Sequence, residues 1–222
     1  MVIYMLEYTL KRSRRKTLAA YVLDDGTIEV RAPLRVSKSE IDRFISEREN
    51  TLKKYVTAQL EKNEKKSGFE LKTGSEILFL GEKYKIMRGD KTEIRDGAFF
   101  ITEGSVKNQV TALYKSAAER IINERVRYFS EITGHTPKSV KINAAKSRWG
   151  SCSSKDAVNF SWFLIMANPK AVDYVVIHEL SHMAHMNHSP AFWSEVGKYE
   201  PDYKQRRKEL KELSARLQTE KW

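Results

Sequence analysis

The chain has 222 residues but only one cysteine, 5 prolines and 10 glycines. The single cysteine, Cys152, excludes an internal disulfide and favours a reducing, cytoplasmic setting. The low glycine and proline content excludes a collagen-like or low-complexity chain. No apolar stretch approaches the ~20 residues of a membrane-spanning helix, so we expect no membrane association. Together these absences predict an ordinary soluble globular protein.

Acidic residues are fewer than basic ones, with 29 Asp and Glu against 40 Lys and Arg, a net charge of +11. This excess favours an anionic partner such as a nucleotide or nucleic acid. The alternative is a solvated basic surface, to which we give about equal weight for an unassigned basic protein. Two segments concentrate the charge, Lys11–Lys16 and Lys204–Lys211. Both could bind phosphates, but we favour solvated surfaces for both.

The first hundred residues predict strands with one inserted helix. Ser37 and Glu40 form a capping-box pair at the start of that helix. We therefore expect a β-rich portion over residues 1–104 and a second portion over 105–222, with a single merged domain as the alternative. Turn pairs separate the β-rich runs at Asp25-Gly26, Gly81-Glu82 and Asp96-Gly97.

The second portion predicts a helix, two strands and further helices. The first helix should span about 106–133 and end at Gly134. Strands should follow near 139–144 and 157–164, with the segment 147–154 before or at their hairpin. Two later helices have a cap residue followed by proline, Asn168-Pro169 and Ser189-Pro190. We expect an α+β fold in which a small antiparallel or mixed sheet packs on the helix after Pro169.

That helix carries most of the histidines, since four of the five lie within residues 178–188. Residues four apart on a helix have Cβ atoms ~5–6 Å apart, so His178 and His182 can share one metal ion such as zinc. Glu179 directly follows the first histidine, beside the expected position of a metal-bound water, and can act as a general base. This pattern predicts a hydrolytic metal centre.

The third ligand follows from a geometric argument. His185 lies on the same helical face as His178 but is ~10 Å further along the axis, too far for one ion. If the helix ends near Met186-Asn187, with Asn187 accepting a left-handed conformation, the chain turns back and brings His188 to the ion. Three protein ligands leave one position for water, as in catalytic zinc sites, although another divalent metal is possible.

Two other residues are weaker candidate ligands. Glu195 could replace His188 as the third ligand, but His188 is nearer in the chain and better placed. Cys152 could occupy the open position, but a permanent fourth ligand would block catalysis. We therefore interpret Cys152 as a small buried hydrophobic residue.

Three segments resemble the YgjP-like metallopeptidase family: Ser147–Cys152, Val176–His182 and His185–Trp193. The resemblance is densest from about 144 to 210 and weak in the first hundred residues. It implies a zincin-like catalytic portion in which His178, His182 and His188 hold the metal and Glu179 is the acid/base. The chain is more distantly similar to the SprT and WLM zincin proteases, some of which digest protein crosslinked to DNA. It departs from the metzincins, which have glycine at His185.

Substrate contacts are expected from Arg148, Trp149 and Ser151, next to the predicted hairpin. In zincins an edge strand near the cleft pairs with an extended peptide. Arg148 would then hold an anionic group or the developing oxyanion. The structural alternative places Trp149 in the core and pairs Arg148 with a carboxylate.

The sequence thus favours a zinc-dependent peptidase acting on a peptide or protein substrate. One alternative is a metal-dependent nucleotide pyrophosphatase acting on a nucleoside triphosphate such as UTP, an activity linked to YgjP-like proteins. The chain has no Walker-type glycine loop, which weighs against it. The other alternative is a metal-stabilised nucleic-acid-binding module without catalysis.

Overall fold

The computed structural model describes residues 6–220 and 222, without the side chains of residues 62 and 65–68. The chain divides into two compact units between Phe69 and Glu70. The boundary expected near residue 104 therefore falls inside the second unit. The reason is a shared core: Phe99, before that boundary, packs on Tyr114, after it, with ring centroids 4.9 Å apart.

The first unit is a three-stranded sheet with two helices. The strands lie in the order β1-β3-β2, with β3 parallel to β1 and antiparallel to β2. Ser37 caps the first helix with both bonds of the expected capping box. The sequence predicts one helix here, but the structure has two, because Glu47 and Arg48 interrupt it. The elements are β1 (Thr9–Ser13), β2 (Ala19–Val22), β3 (Ile28–Pro33), α1 (Lys38–Ser46) and α2 (Glu49–Gly68).

A four-stranded sheet begins the second unit. Its order is β4-β5-β7-β6, with β5 and β7 parallel. Two hairpins turn through pairs of residues with positive φ, Leu80-Gly81 and Asp96-Gly97, which suits the twist of the flanking strands. The first turn lies one residue earlier than predicted. The strands are β4 (Glu76–Phe79), β5 (Glu82–Arg88), β6 (Glu93–Arg95) and β7 (Ala98–Ile101).

Helix α3 and a second, three-stranded sheet follow. Helix α3 spans Val106–Thr133 and ends at Gly134 in the left-handed conformation, as predicted. The strands are β8 (Ser139–Asn143), β9 (Gly150–Cys152) and β10 (Ala157–Ser161), in the order β8-β10-β9. The predicted hairpin between the first and last of these is wrong, because β10 runs parallel to β8. The hairpin is instead β9 with β10, which are antiparallel.

A short 3-10 helix (Trp162–Met166) and three α-helices complete the second unit. These are α4 (Pro169–Ser181), α5 (Pro190–Tyr199) and α6 (Tyr203–Leu217). Asn168 and Ser189 cap α4 and α5, each with proline following, as predicted. Helix α4 is buried on most sides, with Val176 and Leu180 fully inaccessible. The fold is α+β, as the sequence predicts. No helix in the described part of the chain is long and apolar enough to cross a membrane.

Candidate metal centre

The imidazoles of His178, His182 and His188 lie together at the end of α4. One ring nitrogen from each lies within 4.8 Å of the other two. The Nε2 atoms of His178 and His188 are 3.1 Å apart. Two nitrogens that share one tetrahedral zinc ion at ~2.0–2.1 Å are themselves separated by about 3.3 Å. The three side chains therefore fit a single divalent cation.

Helix α4 ends at Ser181, five residues before the expected end near Met186-Asn187. His182 is the C-cap residue and keeps helical angles, with φ −66° and ψ −19°, so its spacing to His178 remains that of a helix. The amides of Met183 and Ala184 then bond to carbonyls three residues back, which tightens the turn. Asn187 is not left-handed. The return of His188 thus comes from a tight turn and an irregular segment.

Two hydrogen bonds orient the imidazoles. His182 Nδ1 lies 3.1 Å from the main-chain oxygen of His185, which only a protonated Nδ1 can satisfy. That tautomer leaves Nε2 unprotonated and able to bind a metal. The hydroxyl of Tyr174 lies 3.3 Å from His178 Nδ1. The main-chain carbonyl of His185 therefore orients His182, whereas the imidazole of His185 is not part of the group of three.

Aromatic rings from α5 support the three imidazoles. Phe192 is fully buried, and its ring centroid lies 4.9, 4.5 and 4.8 Å from those of His178, His182 and His188. Trp193 stacks on His188 with a centroid separation of 5.5 Å. The proline-started helix α5 thus holds His188 in place.

Two of the imidazoles, those of His178 and His182, are held in their neutral form. Burial lowers the pKa of His178 to about 3, assisted by charges on His182, His188 and Arg207. Burial also lowers the pKa of His182, although the hydrogen bond to His185 opposes this. Neutral imidazole is the form that binds metal ions. His178 and His182 are therefore able to bind a metal at neutral pH.

Glu179 is buried beside these ligands, with 5% of its surface exposed. Burial raises the pKa of Glu179 to about 8, and the positive charge of Arg148 opposes the rise. A carboxyl with a pKa near neutrality can both accept and return a proton. A bound cation would favour the carboxylate and lower this value.

Gly150 of β9 lies directly against Glu179. A Cβ atom at this position would be 2.6 Å from Glu179 Oε1 and 2.7 Å from its Cγ. Gly150 lies within the family-like segment Ser147–Cys152, but that pattern predicts no role for it. A glycine inside a predicted strand is a signal of close approach by another group.

Strand β9 forms one edge of its sheet. Trp149 and Ser153, the residues on either side of β9, are bonded to β10. Ser161 N donates to Trp149 O (2.8 Å), and Ser153 N donates to Ala157 O (3.0 Å). Because main-chain groups alternate along an antiparallel strand, those of Gly150 and Cys152 point away from β10. The edge next to Glu179 can therefore accept an extended peptide by strand addition.

The three predicted substrate residues lie in different environments. Trp149 is half-buried, packs against the core and lines the cleft beside Glu179. Arg148 is exposed and acts on Glu179 through its charge, without an ion pair to any described carboxylate. Ser151 accepts a hydrogen bond from Asn159 Nδ2 (3.4 Å). Its side chain lies on the face of the sheet opposite the Gly150 position, away from Glu179.

The weaker candidate ligands lie outside the group of three. Glu195 pairs with Lys198 at 2.5 Å. Cys152 is half-buried against the core. Burial raises the pKa of its thiol, and the negative charges of Glu179 and Asp156 raise it further. A raised pKa disfavours the thiolate that a metal would need.

A cleft of about 420 Å³ opens beside Glu179 and His178. One wall is formed by the residues that lead into β9, and the opposite wall by α6. The lining includes Trp149, Gly150, His178, Glu179, Arg207 and Lys211.

The family model of the YgjP-like metallopeptidase domain matches residues 16–213. The chain belongs to the YgjP-like metallopeptidase family. The match includes all three clustered histidines and Glu179, and membership implies a divalent metal and metal-dependent peptide hydrolysis at the level of the family. No curated protein matches this YgjP-like chain.

Among solved structures, the YgjP-like chain is similar to the metallopeptidase zymogen abylysin of Pyrococcus abyssi. The two are 24% identical with a TM-score of 0.35, over 44% of this chain and 92% of abylysin. That score is too low to support an argument about the fold.

Proposed function

We propose that this chain is a zinc-dependent peptidase in which His178, His182 and His188 hold the metal and Glu179 is the general base. One observation carries the proposal: ring nitrogens of three imidazoles lie within 4.8 Å of one another beside the buried Glu179. Membership of a metallopeptidase family supports it.

The ligand set favours zinc among biological divalent ions. Three imidazole nitrogens suit zinc and neighbouring first-row metals, whereas magnesium and calcium require oxygen ligands. A zinc ion held by three protein ligands polarises a substrate carbonyl and lowers the pKa of water towards ~7. Aromatic packing by Phe192 keeps the imidazoles directed at one point.

Glu179 performs the proton transfers in this proposal. Its carboxylate takes a proton from the water that attacks the scissile carbonyl and then gives a proton to the departing amine nitrogen. The close approach of Gly150 limits the movement of the carboxylate. Burial raises the proton affinity of this carboxylate, and a bound cation would lower it, so the two effects oppose each other at the position from which the proton is returned.

Strand β9 supports a peptide as the substrate. An extended chain that pairs with the outward main-chain groups of Gly150 and Cys152 would pass directly over Glu179, because Gly150 contacts that side chain. The exposed cation Arg148 lies close enough to influence Glu179 and could hold an anionic group of the substrate.

Metal content and peptide cleavage, measured on matched variants, test the proposal. The wild type should carry about one zinc per chain and cleave an unfolded protein such as casein, and a chelator should abolish cleavage. His188→Ala should lose metal, whereas His185→Ala, which keeps the carbonyl bonded to His182, should retain it. Glu179→Gln should retain zinc but lose ~10²–10⁴-fold in rate. Full metal content in His188→Ala, or normal activity in Glu179→Gln, would overturn the proposal.

Nucleotide hydrolysis is the second candidate, favoured by the two cations of α6 that line the cleft beside His178. Incubation with UTP, with and without chelator, separates it from peptide hydrolysis. A nucleic-acid-binding module predicts salt-sensitive binding that survives Glu179→Gln and no turnover of either substrate.

A further inference from the structure

Two cations of α6, Arg207 and Lys211, face the cleft one helical turn apart. Both side chains are exposed, and neither forms an ion pair with a carboxylate in the described part of the chain. On the same helix, Arg206 binds Glu200 and Glu209, and Arg216 binds Glu220. The two cleft cations therefore have their charge available for a ligand.

Arg207 is held in position by an aromatic ring that also contacts the metal centre. Its guanidinium lies 4.8 Å from the ring centroid of Trp193, within the range of a cation–π contact. Trp193 in turn stacks on His188 and on Tyr203, the latter at 5.1 Å. The cation is thus held against a ring that also stacks on the third histidine.

The rest of the cleft lining can pack against the apolar part of a residue that carries a carboxylate. Leu210 of α6 and Tyr174 and Val175 of α4 contribute apolar groups to the lining of the cleft. The one acidic residue of the lining is Glu179, which is buried and has a role in the proposed chemistry. An anion in this cleft would therefore meet two unpaired cations and no competing exposed carboxylate of the lining.

We propose that Arg207 and Lys211 form a subsite for a carboxylate of the peptide substrate. The enzyme would then prefer peptides with an acidic side chain, or a free C-terminus, within a few residues of the scissile bond. This inference rests on the proposed peptidase function and adds the class of substrate. A planar guanidinium binds carboxylates with paired hydrogen bonds, and the lysine adds a second point of charge.

A carboxylate is favoured over a phosphate by the position of the cleft. Gly150, whose main chain is at the free edge of β9, lines the same cavity as Arg207 and Lys211. A peptide can use this edge and the cations together, whereas a nucleotide has no main chain to pair with a strand.

Peptide series distinguish the two sources of the carboxylate. In one series, a single glutamate is moved along an otherwise uncharged, internally quenched peptide with an amidated C-terminus, and each member has a glutamine counterpart. A further uncharged peptide carries a free C-terminus. The zinc-loaded wild type should cleave the best glutamate peptide, or the free-acid peptide, with kcat/KM about tenfold above its neutral counterpart, which equals ~1.4 kcal/mol.

Variants locate that preference on α6. Arg207→Gln with Lys211→Gln should abolish the preference, each single change should reduce it, and the charge reversals Arg207→Glu with Lys211→Glu should favour a lysine peptide. Lys208→Gln is the matched control, because it removes the same charge from the same helix at a position outside the cleft lining. A preference that survives the double glutamine change, or is lost in Lys208→Gln, would overturn the subsite.

Binding to Glu179→Gln separates failure of the subsite from failure of the peptidase function. If no peptide is cleaved but this variant binds the glutamate peptide more tightly than its glutamine counterpart, the peptidase proposal fails and the subsite stands. If peptides are cleaved without any acidic or C-terminal preference, the subsite alone fails. If UTP binds this variant and carboxylate peptides neither bind nor compete, the cleft is a phosphate site and the inference is wrong.

Discussion

Replacing Gly150 by alanine tests the contact between β9 and the proposed general base. The new Cβ would lie 2.6 Å from Glu179 Oε1, 2.7 Å from Cγ and 2.9 Å from Cδ. Ordinary contact begins near ~3.5 Å, so the side chain must move by about 1 Å. Gly150 does not have a positive φ, so the backbone itself accepts alanine.

The displacement should affect catalysis more than folding. A buried glutamate that shifts by ~1 Å is expected to cost ~10²-fold in kcat/KM, because proton transfer depends on its position. Overpacking should cost ~1–3 kcal/mol of unfolding free energy, at the lower end because a side chain rather than backbone must yield. Zinc content should remain at the wild-type level, since the three atoms nearest to the new methyl group all belong to Glu179 and not to a histidine.

The assay compares kcat/KM, zinc content and thermal midpoint of Gly150→Ala with those of Gly197→Ala. Gly197 lies in α5 of the same unit, and a Cβ there meets its nearest atom, Tyr203 Cε1, at an ordinary 3.9 Å. This control should keep full activity and gain up to ~1 kcal/mol in stability. Wild-type kcat/KM in Gly150→Ala, or an activity loss explained entirely by lost zinc, would refute the reasoning.

Three further predictions concern metal linkage and stability. A chelator should lower the thermal midpoint of the wild type but not of His182→Ala, because a ligand present at 100 times its Kd contributes ~2.7 kcal/mol; equal shifts would contradict the assigned site. Arg125→Ala should lower the free energy of unfolding in urea by ~1–2 kcal/mol, because it removes a pair of hydrogen bonds to Asp173 (2.6 and 2.9 Å) that joins α3 to α4. The pair is partly exposed, which limits its contribution. An unchanged unfolding midpoint would contradict this prediction. The pKa of Glu209 lies below its usual value of 4.5. Burial alone would raise this pKa, but hydrogen bonds donated by Asn168, Arg206 and Gln205 outweigh that effect. The stability that this provides is present above pH 4.5 and is lost as the pH falls through the pKa of the folded state. The difference in unfolding free energy between wild type and Glu209→Gln should therefore shrink from about pH 7 to about pH 3. A difference that stays constant would contradict this prediction.

Local features of the fold could be predicted from the sequence because neighbouring residues decide them. Ser37 and Glu40 form the expected capping box, and Gly134 ends α3 in the left-handed conformation. Asn168 before Pro169 starts the histidine-bearing helix where predicted. Each of these depends on hydrogen bonds within one turn of helix, so distant residues have little influence on them.

Features that depend on distant contacts were predicted less well. The parallel pairing of β8 with β10 has no signature in either strand, because it depends on β9 lying on the other side of β10. The early end of α4 was also missed, although it is a local feature. It follows from hydrogen bonds of the turn after Ser181, and not from the tolerance of Asn187 for a left-handed conformation.

The amino-acid order alone determined the pair His178 and His182 with Glu179 between them, because a helix places side chains four apart on one face. Only the tertiary structure decided what surrounds that pair: Gly150 against Glu179, and Arg207 with Lys211 across the cleft. These residues are separated from Glu179 by about 30 positions in the chain. Packing of the core, rather than any local pattern, brings them to the site.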